Sequence, residues 1–175
     1  MIITLPDNKR EFVMAIPVYL WLMDDNGKTI KGSVDVRGRE GSIEVSELMH
    51  SIELPTDTLT GKITAKCLHS SFSFMKEIDS SSPWLYKALS TGQTLKSAVF
   101  KFYRINSNGQ EEEYFRTSLE NIKVTEVDSL MMDVKKHQWA RHNHAEFIDF
   151  SYKKITWHYL DGNVIYSDSW NERNG

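Results

Sequence analysis

The chain has 175 residues, 40% of them hydrophobic and 26% charged, with a net charge of -3 and one cysteine. That length supports one sizeable core and rarely two, and the slight acidity supplies no basic field to hold nucleic acid. A lone cysteine excludes an internal disulfide, and the lack of an apolar run of about 18 residues excludes a helical membrane span.

Residues 1–13, MIITLPDNKREFV, carry interspersed charges and no long apolar stretch, so they do not read as a secretory leader. Met14 opens MAIPVYLWLM, a β-branched and aromatic run that ends at the turn signal DDNG. We therefore expect residues 1–13 to be an extension and residues 14–175 to form one domain.

GSVDVRG and GSIEVSEL alternate apolar and polar residues between glycines, which predicts two short antiparallel strands. In MHSIELPTDTLTGK, Pro55, Asp57 and Gly61 interrupt any long regular element, so an extended arm is expected from His50 to Gly61. KITAKCLHSSFSFMKEID resumes a strand pattern with a bend near Ser70 and Ser71. The alternation of Ile63, Ala65 and Cys67 places the thiol on an apolar face, as a small core residue.

SSSPWLYKALSTG predicts the one helix. Ser82 is the expected cap, Pro83 suits the first helical position, Gly92 can end the helix, and Trp84, Leu85, Ala88 and Leu89 share a side. Strands follow at TLKSAVFKFYRI, at EEEYFRTSLENIKVTEV and over the long AEFIDFSYKKITWHYL, which turns at DGN into VIYSDSW. Many closely spaced strands with one helix predict a mainly β fold: a small antiparallel barrel of two packed sheets with a short helix on its side.

HQWARHNHAEF invites a catalytic reading, because His137, His142 and His144 fall close together. One alternative is thus a secreted metal-dependent hydrolase using those three histidines. A nuclease of HNH type would continue into a helix, whereas a strand pattern follows here, and nothing fixes three or four ligands at a known metal spacing. His50, His69 and His158 are isolated and read as packed or surface residues. There is no nucleophile elbow, phosphate-binding loop or dinucleotide turn, and no catalytic, cofactor or metal residue is assigned. A second alternative is a monomeric β-barrel that binds a sugar or lipid through its tryptophans.

Taken in order, MAIPVYLWL, IKGSVDV, REGSIEV, KEIDSSSPWLYKAL, TGQTLKSAVFKFYRI, NGQEEEYF, LENIKV, HNHAE, YKKITWHYLDGN and SDSWNE resemble the haemolysin-coregulated protein (Hcp) family of type VI secretion. The resemblance runs from Met14 to about Arg173. It implies a helix-flanked β-barrel that assembles into hexameric rings, and rings that stack into the inner tube of a contractile machine. It also implies a non-enzymatic protein with sheath, spike and effector partners, cytoplasmic before firing and then secreted without a cleaved signal. Within that frame the arm is the expected ring-stacking contact, with His50, Ser51, Glu53, Pro55, Thr56 and Asp57 as candidates. Two departures stand out: residues 1–13, and DSLMMDVKKHQWAR, which is richer in Met, His and Trp than the family pattern.

Overall fold

A computed structural model describes residues 16–137 and 142–170; the extension expected over 1–13 and part of the HQWAR segment lie outside the described residues. Its elements are β1 (Val18–Met23), β2 (Thr29–Ile30), β3 (Ile43–Val45), β4 (Glu47–Met49), β5 (Ile52–Glu53), β6 (Leu68–His69), β7 (Phe72–Glu77), α1 (Ser82–Thr91), β8 (Thr94–Ile105), β9 (Glu111–Leu130), β10 (Ala145–Ser151), β11 (Lys154–Tyr159) and β12 (Val164–Ser169). The expected mainly β architecture with one short helix is what forms.

The wall runs β1–β8–β9–β10–β7–β4, every neighbour antiparallel. Its two ends meet through one segment. β3 pairs with β1 and β4 pairs with β7, and only Ser46 separates them, its amide donating to the Met75 carbonyl at 2.9 Å. Closing the wall this way removes two strand edges that would otherwise face water unpaired.

β9 belongs to both halves of the wall. One edge pairs with β8, while the other pairs with β11 over 115–120 and with β10 over 123–130. Asn121 takes a φ of 52° just where the partner changes, a left-handed conformation that asparagine tolerates better than most side chains. Register irregularities opposite Phe102/Tyr103 and Asp149/Phe150 add coil to the long strand.

The inward face follows the period of two. Leu20 and Leu22, Phe72 and Phe74, Ala98 and Phe100, and Ile148 and Phe150 are all buried. AEFIDFSYKKITWHYL is two strands rather than one. It breaks at Tyr152 and Lys153, where the inward parity shifts from Ile148 and Phe150 to Ile155 as the chain crosses from one half of the wall to the other. GSVDVRG does not form a strand. Val34 is half-buried and Val36 exposed in a loop pinned by the Gly32 amide on the Gly41 carbonyl and the Gly41 amide on the Val34 carbonyl, and Arg39 takes the buried position, its guanidinium 3.7 Å from the Tyr103 ring centre and paired with Glu111. Arginine carries a flat stacking surface that neither valine offers.

In α1 the capping position falls to Ser81, which makes no side-chain cap bond, and Gly92 ends the helix at φ 66°. Ser82 is instead the first helical residue, and its hydroxyl donates to the buried carboxylate of Glu146 at 2.6 Å. Leu85 and Ala88 enter the core, but Trp84 stays half exposed, so the apolar side is narrower than the sequence pattern implies. Asp79 supports the helix start by accepting the Ser81 amide at 2.9 Å and the Lys76 ammonium at 2.9 Å. Burial raises the Asp79 pKa, but the Ser81 hydroxyl and Lys76 outweigh it and hold the carboxyl below its ordinary value. A lowered folded pKa contributes stability that is complete above the unfolded value of about 3.9 and lost as pH falls through the folded one. Asp79→Asn is expected to flatten the acid limb of the stability profile, measured by urea unfolding between neutral and strongly acidic pH. An unchanged acid limb would remove Asp79 from the account.

Candidate functional site

Between β4 and β7 the chain leaves the wall as a long hairpin. β5 and β6 form its lower ladder, Ile52 opposite His69 and Glu53 opposite Leu68. Higher up, Thr56 bridges Ile63, and the Pro55 carbonyl accepts the Thr64 amide at 2.9 Å. The tip turns at Asp57, whose carboxylate accepts the Thr60 amide at 2.7 Å and hydroxyl at 2.8 Å. Those bonds hold the Asp57 pKa below the ordinary carboxylate range. Asp57 therefore shapes the turn rather than waiting for a ligand. Gly61, at φ 68°, completes the reversal.

Almost all of 51–66 is exposed, so the arm expected from His50 to Gly61 is one limb and the tip of a structure that returns through Lys62 to Ser70. Its apolar residues point outward. Ile52, Leu54, Ile63 and Leu68 are all exposed, and Leu59 at the tip is 94% exposed. Of the candidate contact residues, Glu53 and Thr56 stand exposed on the first limb, Pro55 is half-buried, and Ser51 ties the base through its amide to the Ser70 hydroxyl at 2.9 Å.

His50 belongs to the root of the arm. Its ring stacks on Phe72, with centroids 5.2 Å apart, and its Nε2 lies 2.6 Å from the Tyr152 hydroxyl. Burial and then the nearby His69 push its pKa down. The same Tyr152 hydroxyl meets His69 Nδ1 at 3.0 Å, and His69 Nε2 faces Asp168 Oδ2 at 3.2 Å. Trp170 packs on this root, 5.1 Å from the Tyr152 ring centre and 5.8 Å from that of His69. Burial, with Asp168 and Cys67 behind it, pushes the Tyr152 pKa up. Cys67 is thus no core residue: it is half-buried at the arm root beside His69 and Asp168. The i, i+2 spacing of Cys67 and His69 was the available signal, but Asp168 is about a hundred residues away and no local pattern announces it.

The histidines His137, His142 and His144 do not converge. Among the described residues, Cys67, His69 and Asp168 are the group of three whose ligand atoms lie within 4.8 Å of one another. His144 is a ladder residue, its carbonyl accepting the Ile78 amide at 3.0 Å; Asn143 bonds Glu77 at 2.9 Å; His137 is exposed. The described tryptophans do not share a cavity either. Trp21 lies under Lys101, Trp157 stacks on Tyr166, and Trp84 and Trp170 border different clefts. No helix among the described residues is long and apolar enough to cross a membrane.

The family model described as type VI secretion system effector, Hcp, matches residues 19–159. The major exported protein of Pseudomonas aeruginosa is 29% identical over 139 residues, which are 79% of this chain and 81% of that protein. A solved structure of the Hcp1 protein from the E. coli EAEC 042 pathovar, a double mutant, is 59% identical, with a TM-score of 0.81 over 89% of this chain and 99% of that one. The secreted protein Hcp3 from Pseudomonas aeruginosa, at 23% identity, shares the fold, with a TM-score of 0.73 over 89% of this chain and 99% of its own.

Proposed function

Because the chain belongs to the Hcp family of type VI secretion, we propose that it is a non-catalytic tube subunit: six copies close a ring, rings stack into an inner tube, and the lumen carries effector proteins. The subunit is made in the cytoplasm and leaves with the tube, driven by a contracting sheath and headed by a spike. The projecting hairpin carries this reading. Five apolar side chains, Ile52, Leu54, Leu59, Ile63 and Leu68, are held outward on an ordered ladder, which costs a solitary protein solubility and gives a stacking protein a contact surface.

Ring closure needs two different surfaces of the subunit to meet and the rotation between neighbours to close. β12 supplies one such surface: it pairs with β11 on one side, and Val164, Ile165 and Tyr166 are each more than half exposed. The arm serves the axial contact, with Glu53, Pro55 and Thr56 beside the apolar positions.

Native mass spectrometry and negative-stain imaging of the purified chain are expected to show rings of six. The double variant Leu59→Asp, Ile63→Asp is expected to keep those rings and to lose stacked tubes, because both carboxylates would be buried in the axial contact. A chain that stays monomeric at high concentration ends the tube reading. Tubes of wild-type length from the double variant end the role given to the arm.

A further inference from the structure

We propose that the root of the arm is a binding site for a thiophilic divalent metal of the zinc class, with Cys67 Sγ, His69 Nε2 and Asp168 Oδ2 as ligands. One ligand atom from each of the three residues lies within 4.8 Å of the other two, and His69 Nε2 and Asp168 Oδ2 are already 3.2 Å apart. Ligands around tetrahedral zinc, at about 2.0–2.3 Å from the ion, stand roughly 3.3–3.6 Å from each other. The nitrogen and the oxygen are thus at bound spacing, with the thiol of the third residue in the same cluster.

Two of the ligands are aimed by something else. Asp168 Oδ1 accepts the Ser169 amide at 2.9 Å, which turns Oδ2 toward the imidazole. His69 has its Nδ1 at 3.0 Å from the Tyr152 hydroxyl, and its ring lies on Trp170 with an interplanar angle of 26°. A ligating imidazole held through its other nitrogen is the usual construction of a zinc site, because that bond fixes both tautomer and ring plane. Tyr152 in turn reaches His50 Nε2 at 2.6 Å, so the hydroxyl can accept a hydrogen bond from one ring and donate one to the other. The pairing of a thiol with an imidazole selects zinc-like ions over magnesium or calcium, which prefer oxygen alone. Binding removes the Cys67 thiol proton and any proton on His69 Nε2, so affinity rises with pH.

The ligands come from two places in the fold. Cys67 and His69 sit on the returning limb of the arm, and Asp168 on β12. A bound ion therefore ties the arm root to the edge strand, and water completes the fourth position. This inference stands on the subunit alone and does not need ring assembly.

The test uses the full, untagged chain, reduced and stripped with chelator, titrated with zinc and separately with cobalt. One equivalent per chain is expected, and the cobalt form should show a thiolate-to-metal charge-transfer band in the near ultraviolet with strong visible bands. Cys67→Ser should abolish the charge-transfer band while leaving the far-UV dichroism unchanged. Asp168→Asn should weaken zinc binding, and Tyr152→Phe should weaken it by about 10–100-fold through the loss of the outer partner. Stoichiometry well below one, a cobalt spectrum without the thiolate band, or binding that survives Cys67→Ser would overturn the proposal. Binding that instead disappears in a His137→Ala, His142→Ala, His144→Ala variant would do the same. Ring state, followed by native mass spectrometry on the same samples, separates failure here from failure of the tube reading.

Discussion

Lys76→Met is expected to lower the unfolding free energy by about 3–5 kcal/mol, the usual cost of removing one partner from a buried ion pair. The reason lies in strand parity. Phe72, Phe74 and Lys76 are successive inward positions of β7, and Glu146 is the direct cross-strand partner of Lys76 on β10. Both side chains are fully buried, with Nζ 2.6 Å from Glu146 Oε1 and also in reach of the Ser82 hydroxyl at 3.1 Å and the Glu77 carbonyl at 2.8 Å. The pair fastens the start of α1 to the wall. Methionine would fill the space of the aliphatic stem but leave the buried Glu146 carboxyl without its cationic partner. Its Oε2 already lacks a hydrogen-bond partner among the described residues, so little else is present to absorb the loss.

The double variant Lys76→Met, Glu146→Leu is expected to recover most of that stability, since well-packed apolar residues often replace a buried pair at little cost. Urea unfolding at one fixed protein concentration measures both variants, because any self-association would otherwise shift the apparent stability. A loss below about 1 kcal/mol for Lys76→Met would mean that the charge is solvated, contrary to its burial.

Phe100→Ala should cost a similar amount, about 3–5 kcal/mol. Phe100 comes from β8 and meets β7 across the interior, with ring centroids 4.5 Å from Phe72 and 5.3 Å from Phe74; Phe74 continues to Phe150 at 5.0 Å. β7 and β8 are not neighbours in the wall, so this aromatic chain spans it. Truncation opens a cavity whose lining is held by strands on several sides and cannot collapse into it. Phe100→Ala and Phe72→Ala combined should cost less than the sum of the two, because they enlarge one shared void. Strict additivity, or a loss under about 1.5 kcal/mol for Phe100→Ala alone, would place the centre of the core elsewhere.

How far the fold could be read in advance depends on how local its causes are. Phe72, Phe74, Phe100, Ile148 and Phe150 announce themselves by alternation, and Pro83 with Gly92 marks the helix almost to the residue. Val34 and Val36 alternate just as well, yet no strand forms, because what enters the wall there is Arg39, held by Tyr103 and Glu111 from distant strands. The break at Tyr152 was invisible for the same reason: it exists because β9 changes partners, a fact of another part of the chain. Of the arm, the outline followed from Pro55, Asp57 and Gly61, but β5 and β6 have two residues each and leave no periodic trace. The arm root combines Cys67 and His69 with Asp168, and Lys76 with Glu146 likewise joins strands far apart in sequence. Lys76, in phase with Phe72 and Phe74, and Glu146, in phase with Ile148 and Phe150, carried a readable sign of their inward positions, whereas nothing local announced Asp168.

The closure of the wall through Ser46 has a bearing on biosynthesis. β7 gains its second neighbour only when β10 exists, roughly seventy residues later in the chain. At about 5–20 residues per second, a ribosome leaves Phe72 and Phe74 without that cover for roughly 4–15 s. Long-range pairing of this kind also matures slowly once the chain is complete. A nascent chain therefore exposes its most adhesive side chains before it can be counted as folded.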